Sequence, residues 1–455
     1  MPGVAVNSRQ VVQPSRFRRI VAYQAVWREV VPAVPVISRE RTSAQEIVGE
    51  GGSIRIDPYH SWSDLAEIIP AWENILSENP ALSIFSTPQW LRSWWEAFGS
   101  RRRLIVLAFS DANGKLVGLA PLYEEASRHP LLGQPKQLRL VGDGSGDSDN
   151  LDLIVRPGSE SICASALLHW VAEKSDCGVC SLNTLPASSP SARALAGKLN
   201  EMNWVLRKTT SSNSAILLPD SWGPYVEGLP SKFRRFLGQC RRRLASRYEI
   251  RFRRCRSSDE LAEMLETLFS LHQKRWNSVG EPGSFGSQER RFFYQEMTKA
   301  FLERGWLELW TLELDGKPAA AQLGFRYRET VYSLQEGFDP EFAVDHVGHA
   351  LRAAMLEDFV RAGVKRYDFL GGFTPAKERW GAECGAYLNL AFAAPRSIGG
   401  CYLACDKGAA AGKEWLREHL PPQAWQILHR VKALLTHQGR HLSAPASADE
   451  AVLRE

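Results

Sequence analysis

Residues Val331 to Gly381 read VYSLQEGFDPEFAVDHVGHALRAAMLEDFVRAGVKRYDFLGGFTPAKERWG. The apolar run Val331–Gly337 predicts a strand that ends in Gln335-Glu336-Gly337. A polar loop follows, and the spacing then predicts a helix from about Val347 to Ala362, with Asp345 as its cap and Gly348 in its first turn. A second strand, Arg366–Leu370, carries Asp368 and runs into Gly371-Gly372. The helix N-terminus offers unpaired N–H groups and the positive end of a dipole, which suits a pyrophosphate. Gly348 removes the side chain that would keep a phosphate away.

Upstream of this stretch lies an apolar hairpin, Leu307–Leu314 and Ala319–Tyr327, joined by Asp-Gly-Lys. Two helical segments precede it, Ser258–Gly280 and Ser287–Arg304. The same order occurs once before. Helical text at Trp62–Leu76 and Gln89–Phe98 leads into a hairpin, Leu104–Phe109 and Leu116–Tyr123. Strands at Gln137–Val141 and Leu151–Val155, a helix at Ser161–Glu173 and a buried strand at Val179–Leu185 complete that copy. Helices and strands mixed in this way predict an α/β or α+β layer architecture, built twice. Residues 1–50 read as a weakly ordered leader, 51–225 as the first half and 226–397 as the second. Residues 398–440 read as accessory helices, about 409–419 and 423–437, parted by Pro421-Pro422; residues 441–455 read as a loose tail.

The chain is 455 residues long, 44% hydrophobic and 24% charged, which places it among ordinary globular proteins. No apolar run approaches the roughly 18–20 residues of a membrane span, and the N-terminus has no apolar signal core. The cytoplasm is the expected compartment, with contact at the inner membrane surface. Eight cysteines are too few for a disulfide scaffold. The net charge is +5, yet Lys232–Arg256 alone carries eleven Lys/Arg against one Glu, so the remainder is −5. Phe233, Phe236, Leu237, Cys240 and Leu244 make the first part of that segment an amphipathic helix; Tyr248, Ile250 and Phe252 alternate as a strand. A basic element of this kind is either a solvated face or an anion-binding one.

Several motifs carry no chemistry. His346 and His349, with Asp339 and Asp345 nearby, lack the further ligands of a metal site, and none is read. Cys177-Gly-Val-Cys180 is a lone pair of small residues entering a strand. Gly142-Asp-Gly-Ser-Gly146 lacks the Lys of a phosphate loop and is followed by Asp147 and Asp149, which repel phosphate; it reads as a turn or a polar loop facing the cleft between halves. Glu336 and Asp368, at the ends of two strands, are candidate general bases, as is His349.

The residues together resemble the GNAT-fold acyltransferases of the CelD/BcsL type, linked to cellulose or exopolysaccharide production and distantly to the FemABX peptidyltransferases. The matching text begins with Phe85-Ser-Thr-Pro-Gln-Trp-Leu-Arg-Ser-Trp-Trp95, Phe98-Gly99 and Gly118-Leu-Ala-Pro-Leu-Tyr123. It continues with the basic Lys232–Leu244 helix, His272-x-x-Arg275-Trp276, Gly324, Tyr332 and Gly348. It closes on Tyr367-Asp-Phe-Leu-Gly-Gly372 and Lys377-Glu-Arg-Trp-Gly381, so about residues 55–395 are covered. Ala376 stands where relatives commonly have Tyr, and Asp345-His-Val-Gly348 replaces part of the usual pyrophosphate loop.

The resemblance implies two tandem GNAT-like domains, each a mixed, mainly antiparallel sheet flanked by helices. It implies acetyl-CoA as co-substrate, no permanently bound cofactor, and an amine or hydroxyl acceptor. Gly337, Val347, Gly348, Lys377 and Arg379 are then expected to hold the donor, and Arg275, Trp276, Arg241 and Arg242 the acceptor or its anionic groups. Partners at 232–256 would be an anionic glycan or a membrane surface, with nucleic acid a lesser expectation. Two other readings stand beside acyl transfer: an aminoacyl-tRNA-dependent transferase, and a non-catalytic member of a polysaccharide synthesis complex.

Overall fold

Thr87 starts the first tryptophan-rich helix by accepting a hydrogen bond from the Trp90 amide at 3.3 Å, with Pro88 in its first turn. Trp90 and Trp94 are four residues apart, so both face inward, and both are fully buried. Their indole N–H groups donate to Ser148 and Ser145 of the glycine-rich loop at 3.0 and 2.9 Å. That loop is therefore packed on the core. It also ties the two halves together: Asp147 meets Tyr294 at 2.9 Å and Arg290 at 3.2 Å, and Asp149 accepts from the Gly371 amide at 2.8 Å.

The structure, a computed structural model, describes residues 45–49, 52–126, 135–173 and 178–405. Cys177 and the helices read at 409–419 and 423–437 lie outside the described residues. The first half runs β1 (Gln45–Gly49), β2 (Gly52–Tyr59), α1 (Ile69–Glu78), α2 (Pro88–Phe98), β3 (Arg103–Asp111) and β4 (Leu116–Glu125). It continues with β5 (Gln137–Leu140), β6 (Ile154–Val155), α3 (Glu160–Glu173), β7 (Val179–Pro186), α4 (Pro190–Glu201) and β8 (Val205–Leu217). The second half has α5 (Trp222–Gly228), α6 (Ser231–Arg247), β9 (Ile250–Arg254), α7 (Ser258–Ser278), α8 (Gln288–Glu303), β10 (Leu307–Leu314) and β11 (Lys317–Tyr327). It ends with β12 (Thr330–Phe338), α9 (Val347–Arg361), β13 (Arg366–Gly371), α10 (Pro375–Arg379) and β14 (Glu383–Ala393).

The duplication is visible in the pairing. In each half an antiparallel meander meets one parallel neighbour: β5 beside β7 and β12 beside β13, each pair bridged by a helical crossover. The last strands are exchanged. β8, from the first half, pairs with β13; β14, from the second, pairs with β7; and β8 and β14 pair with each other along eleven residues. One mainly antiparallel sheet of fourteen strands results, flanked by helices. The core is continuous too, since Trp90 of the first half touches Phe293, Phe301 and Phe325 of the second.

One buried acid belongs to this scaffold alone. Asp152 accepts from Ser189 Oγ at 2.5 Å and from the Leu153 amide at 2.8 Å, with no cation beside it among the described residues. Burial pushes its carboxyl up to about 7. A raised carboxyl pKa means that the folded chain holds the proton longer than the unfolded one, so the cost of ionisation grows as pH rises towards 7. Asp152→Asn is expected to gain about 2–3 kcal/mol on the wild type between pH 5 and pH 8. Thermal melts across that range measure it; parallel profiles would show that Asp152 ionises without cost.

Candidate active site

β12 and β13 part company early. Their parallel pairs end at Tyr332 opposite Asp368, while β12 runs on to Phe338 with only β11 beside it. A cleft lies along this part of β12, lined by β11, β12, Arg275 of α7 and the first turns of α9. Its wall is shaped by a bulge: Leu323 of β11 faces Gln335, yet Gly324 faces Ser333, which leaves Leu334 as an extra residue. The extra residue reverses the alternation of β12. Glu336 thereby lies beside Gln322 on the cleft side, and both line the cleft. Gly337 is required by packing, because a Cβ there would sit 2.3 Å from the His272 amide nitrogen of α7.

Beyond β12 a 3₁₀ turn, Pro340–Asp345, is capped by Asp339, which accepts from the Glu341 amide at 3.2 Å. His346 then adopts a left-handed conformation (φ 53°), and α9 begins at Val347 without a side-chain cap. Among the first amides of α9, those of His349 and Ala350 bond to the His346 carbonyl at 3.0 and 3.1 Å, which leaves Val347 and Gly348, both lining the cleft, without an intrahelical partner. A Cβ built on Gly348 meets nothing within 4 Å, so space for a ligand lies directly in front of it. The cleft and the open solvent at its mouth together span about 650 Å³.

The floor is a charged network. Glu336 is gripped by Arg275 at 3.1 Å and by Arg352. Burial would raise its carboxyl, but Arg352 and Arg275 outweigh that and hold it at about 2. The side chain is still 41% exposed and lines the cleft. Arg352 is sandwiched against Phe369 and Trp380, and the Gln322 amide donates to Ser333 Oγ at 2.9 Å and to the Tyr367 hydroxyl. His349 stacks on Trp380 and meets Phe233 and Phe236 of α6 edge-on. Burial, then Arg352, lower its imidazole to about 4, so it is neutral at pH 7. His272 has another task. Its Nε2 accepts from the Ser284 amide at 3.3 Å, so Nδ1 carries the hydrogen and donates to the Glu336 carbonyl at 3.0 Å.

Six of the residues singled out from the sequence therefore line one cleft: Arg275, Glu336, Gly337, Val347, Gly348 and His349. The others lie elsewhere. Asp368 is buried on the opposite face of β13, where it accepts from the Leu370 amide at 2.8 Å and meets Arg366 at 3.4 Å. Lys377 donates to the carbonyls of Phe369, Gly371 and Gly372 at 3.3, 2.5 and 3.0 Å, which pins the end of β13. Arg379 is exposed on α10 but near enough to act electrostatically on His349. Trp276 packs against His272 and under the Arg275 guanidinium. Arg241 and Arg242 are exposed on α6, away from the cleft lining. The carboxylates near the histidine pair are occupied: Asp339 by Lys274, and Asp345 by Arg243, Arg247 and Tyr248.

Arg352 and Gln322 escaped the sequence reading, and Tyr367 entered it only as part of the closing motif. Arg352 had a signal, since it follows Gly348 by four residues and so shares its helix face. For Asp368 a structural role predicts a specific outcome. Asp368→Ala leaves the Leu370 amide without its partner and is expected to cost about 1–3 kcal/mol of stability. Chemical denaturation measures this, with turnover per folded molecule unchanged; a loss of turnover in fully folded protein would return Asp368 to the chemistry.

Residues 231–378, a third of the chain, match the acetyltransferase (GNAT) domain family. The match lies within the second half of the chain. Among solved structures the chain is similar to FemX, at 11% identity and a TM-score of 0.52, over 73% of this chain and 96% of that one. It is also similar to a conserved protein of unknown function from Bacteroides thetaiotaomicron, at 13% identity and a TM-score of 0.47, over 71% and 97% of the two chains. A tandem GNAT protein from the clavulanic acid biosynthesis pathway gives 15% identity and a TM-score of 0.44, over 76% and 100%. No curated protein matches the chain. The GNAT match spans α6 through most of α10, so it contains every wall of the cleft.

Proposed function

We propose that the protein is an acyl-CoA-dependent N- or O-acyltransferase, with acetyl-CoA as donor, and that the second half holds its active site. The observation that carries this reading is the uncapped start of α9, with Gly348 facing open space beside the splayed strands. Its amides and dipole suit the pyrophosphate of CoA. The thioester would then enter between β12 and β13, where β12 amides beyond Tyr332 lack a partner on that edge and can hold the developing oxyanion.

In the step itself the acceptor nitrogen or oxygen attacks the thioester carbonyl carbon. A bond to the acceptor forms and the C–S bond breaks. His349 takes the acceptor proton and returns it to the departing CoA sulfur. The His349 imidazole, at about 4, is a stronger base than the Glu336 carboxylate, which its two arginines hold at about 2. Glu336 instead fixes Arg275 and Arg352 at the floor. The resemblance to the CelD/BcsL text supports an acceptor in exopolysaccharide assembly at the inner face of the membrane; among the described residues no helix is long and apolar enough to cross one.

Calorimetry with acetyl-CoA tests the reading. Micromolar binding with a stoichiometry of about one supports it. Absence of binding overturns it, and acyl transfer from aminoacyl-tRNA in the same preparation would establish the alternative donor.

A further inference from the structure

The helix α6 carries seven Lys/Arg and no acid in seventeen residues. Its inner face is apolar: Phe233, Cys240 and Leu244 are buried, and Phe233 and Phe236 wall the cleft through His349 and His346. Two of its cations are paired, since Arg243 and Arg247 share the buried Asp345 carboxylate at 3.0 and 2.6 Å. The remaining five are not. Lys232, Arg234, Arg235, Arg241 and Arg242 are exposed and have no ion-pair partner among the described residues. Arg234 and Arg235 stand seven residues, or about 10 Å, before Arg241 and Arg242, with only the small Gly238 and Ala245 completing that face. So the field of four guanidinium groups points outward from one helix face.

We propose that this face docks on an anionic phospholipid surface and sets the cleft mouth beside it. Arginine is the side chain suited to phosphate, and a row of uncompensated cations next to a negative surface is attracted without any folding change. Val344, in the turn that Asp345 ties to α6, is 62% exposed, an apolar side chain that gains from a lipid interface. A single-stranded nucleic acid is the poorer fit, because the exposed face of α6 has no aromatic side chain on which bases could stack. The consequence is an acceptor presented at a membrane surface.

The test is co-sedimentation of the full chain with phosphatidylcholine vesicles and with vesicles containing roughly 30% phosphatidylglycerol. The wild type is expected to bind only the anionic vesicles and to leave them as salt rises. R234Q/R235Q/R241Q/R242Q is expected to bind them roughly 100-fold more weakly, with its melting temperature and acetyl-CoA affinity unchanged. Equal binding by wild type and variant, no binding to the anionic vesicles, or displacement from them by transfer RNA at equal phosphate concentration overturns the proposal. Vesicle binding by a chain that ignores acetyl-CoA would leave the docking face standing and remove the acyltransferase reading.

Discussion

Gly348→Val is expected to weaken acetyl-CoA binding about 100-fold, or ~2.7 kcal/mol, while the protein folds as before. Both parts come from the same geometry. A Cβ at position 348 meets no atom of the described residues within 4 Å beyond its chain neighbours and its own helix backbone, so the isopropyl group enters open cleft. Valine is also a better helix residue than glycine, which argues against a loss of stability. The group then occupies the space in front of the first amides of α9, where a pyrophosphate must approach closely. Calorimetry beside a thermal melt separates the two. Unchanged affinity in a normally folded variant would remove the pyrophosphate from this helix.

His349→Gln is expected to lower kcat by about 10²–10⁴ with acetyl-CoA affinity retained. Glutamine fills much of the same space between Phe236 and Trp380 but cannot accept and return a proton at neutral pH. The comparison with Glu336→Gln sharpens the assignment. That change removes the partner of Arg275 and of the buried Arg352, so the expected loss is in stability and ligand binding. A variant of Glu336 that folds, binds donor and yet fails in turnover would move the base from His349 to Glu336.

The repeated order of helices and hairpins, and the helix that opens beside Gly348, were legible from periodicity and turn chemistry alone. Those signals are local: an Asp-Gly-Lys turn between apolar runs, or alternating apolar and polar residues, acts within a few residues of chain. The exchanged strands gave no such signal. β8 reads Val205-Leu-Arg-Lys-Thr-Thr-Ser-Ser-Asn-Ser-Ala-Ile-Leu217, polar through its middle, and is a strand because β14 lies along it. Arg243 and Arg247 were equally ambiguous, since the chain places their partner Asp345 about a hundred residues away.

Glu336 and Asp368 show the division most clearly. The sequence placed both at the ends of adjacent strands; β12 and β13 do pair, but Asp368 lies third in β13, opposite Tyr332. Simple alternation from the pair Tyr332 and Asp368 would then set both carboxylates on one face. The extra residue at Leu334 turns Glu336 over to the cleft and leaves Asp368 on the far side. The sequence by itself determined the repeated hairpins, the helices before them and the start of the helix at Gly348, because those depend on neighbouring residues. Only the tertiary structure decided which side chains meet, because a one-residue bulge against a partner strand reverses every side chain beyond it.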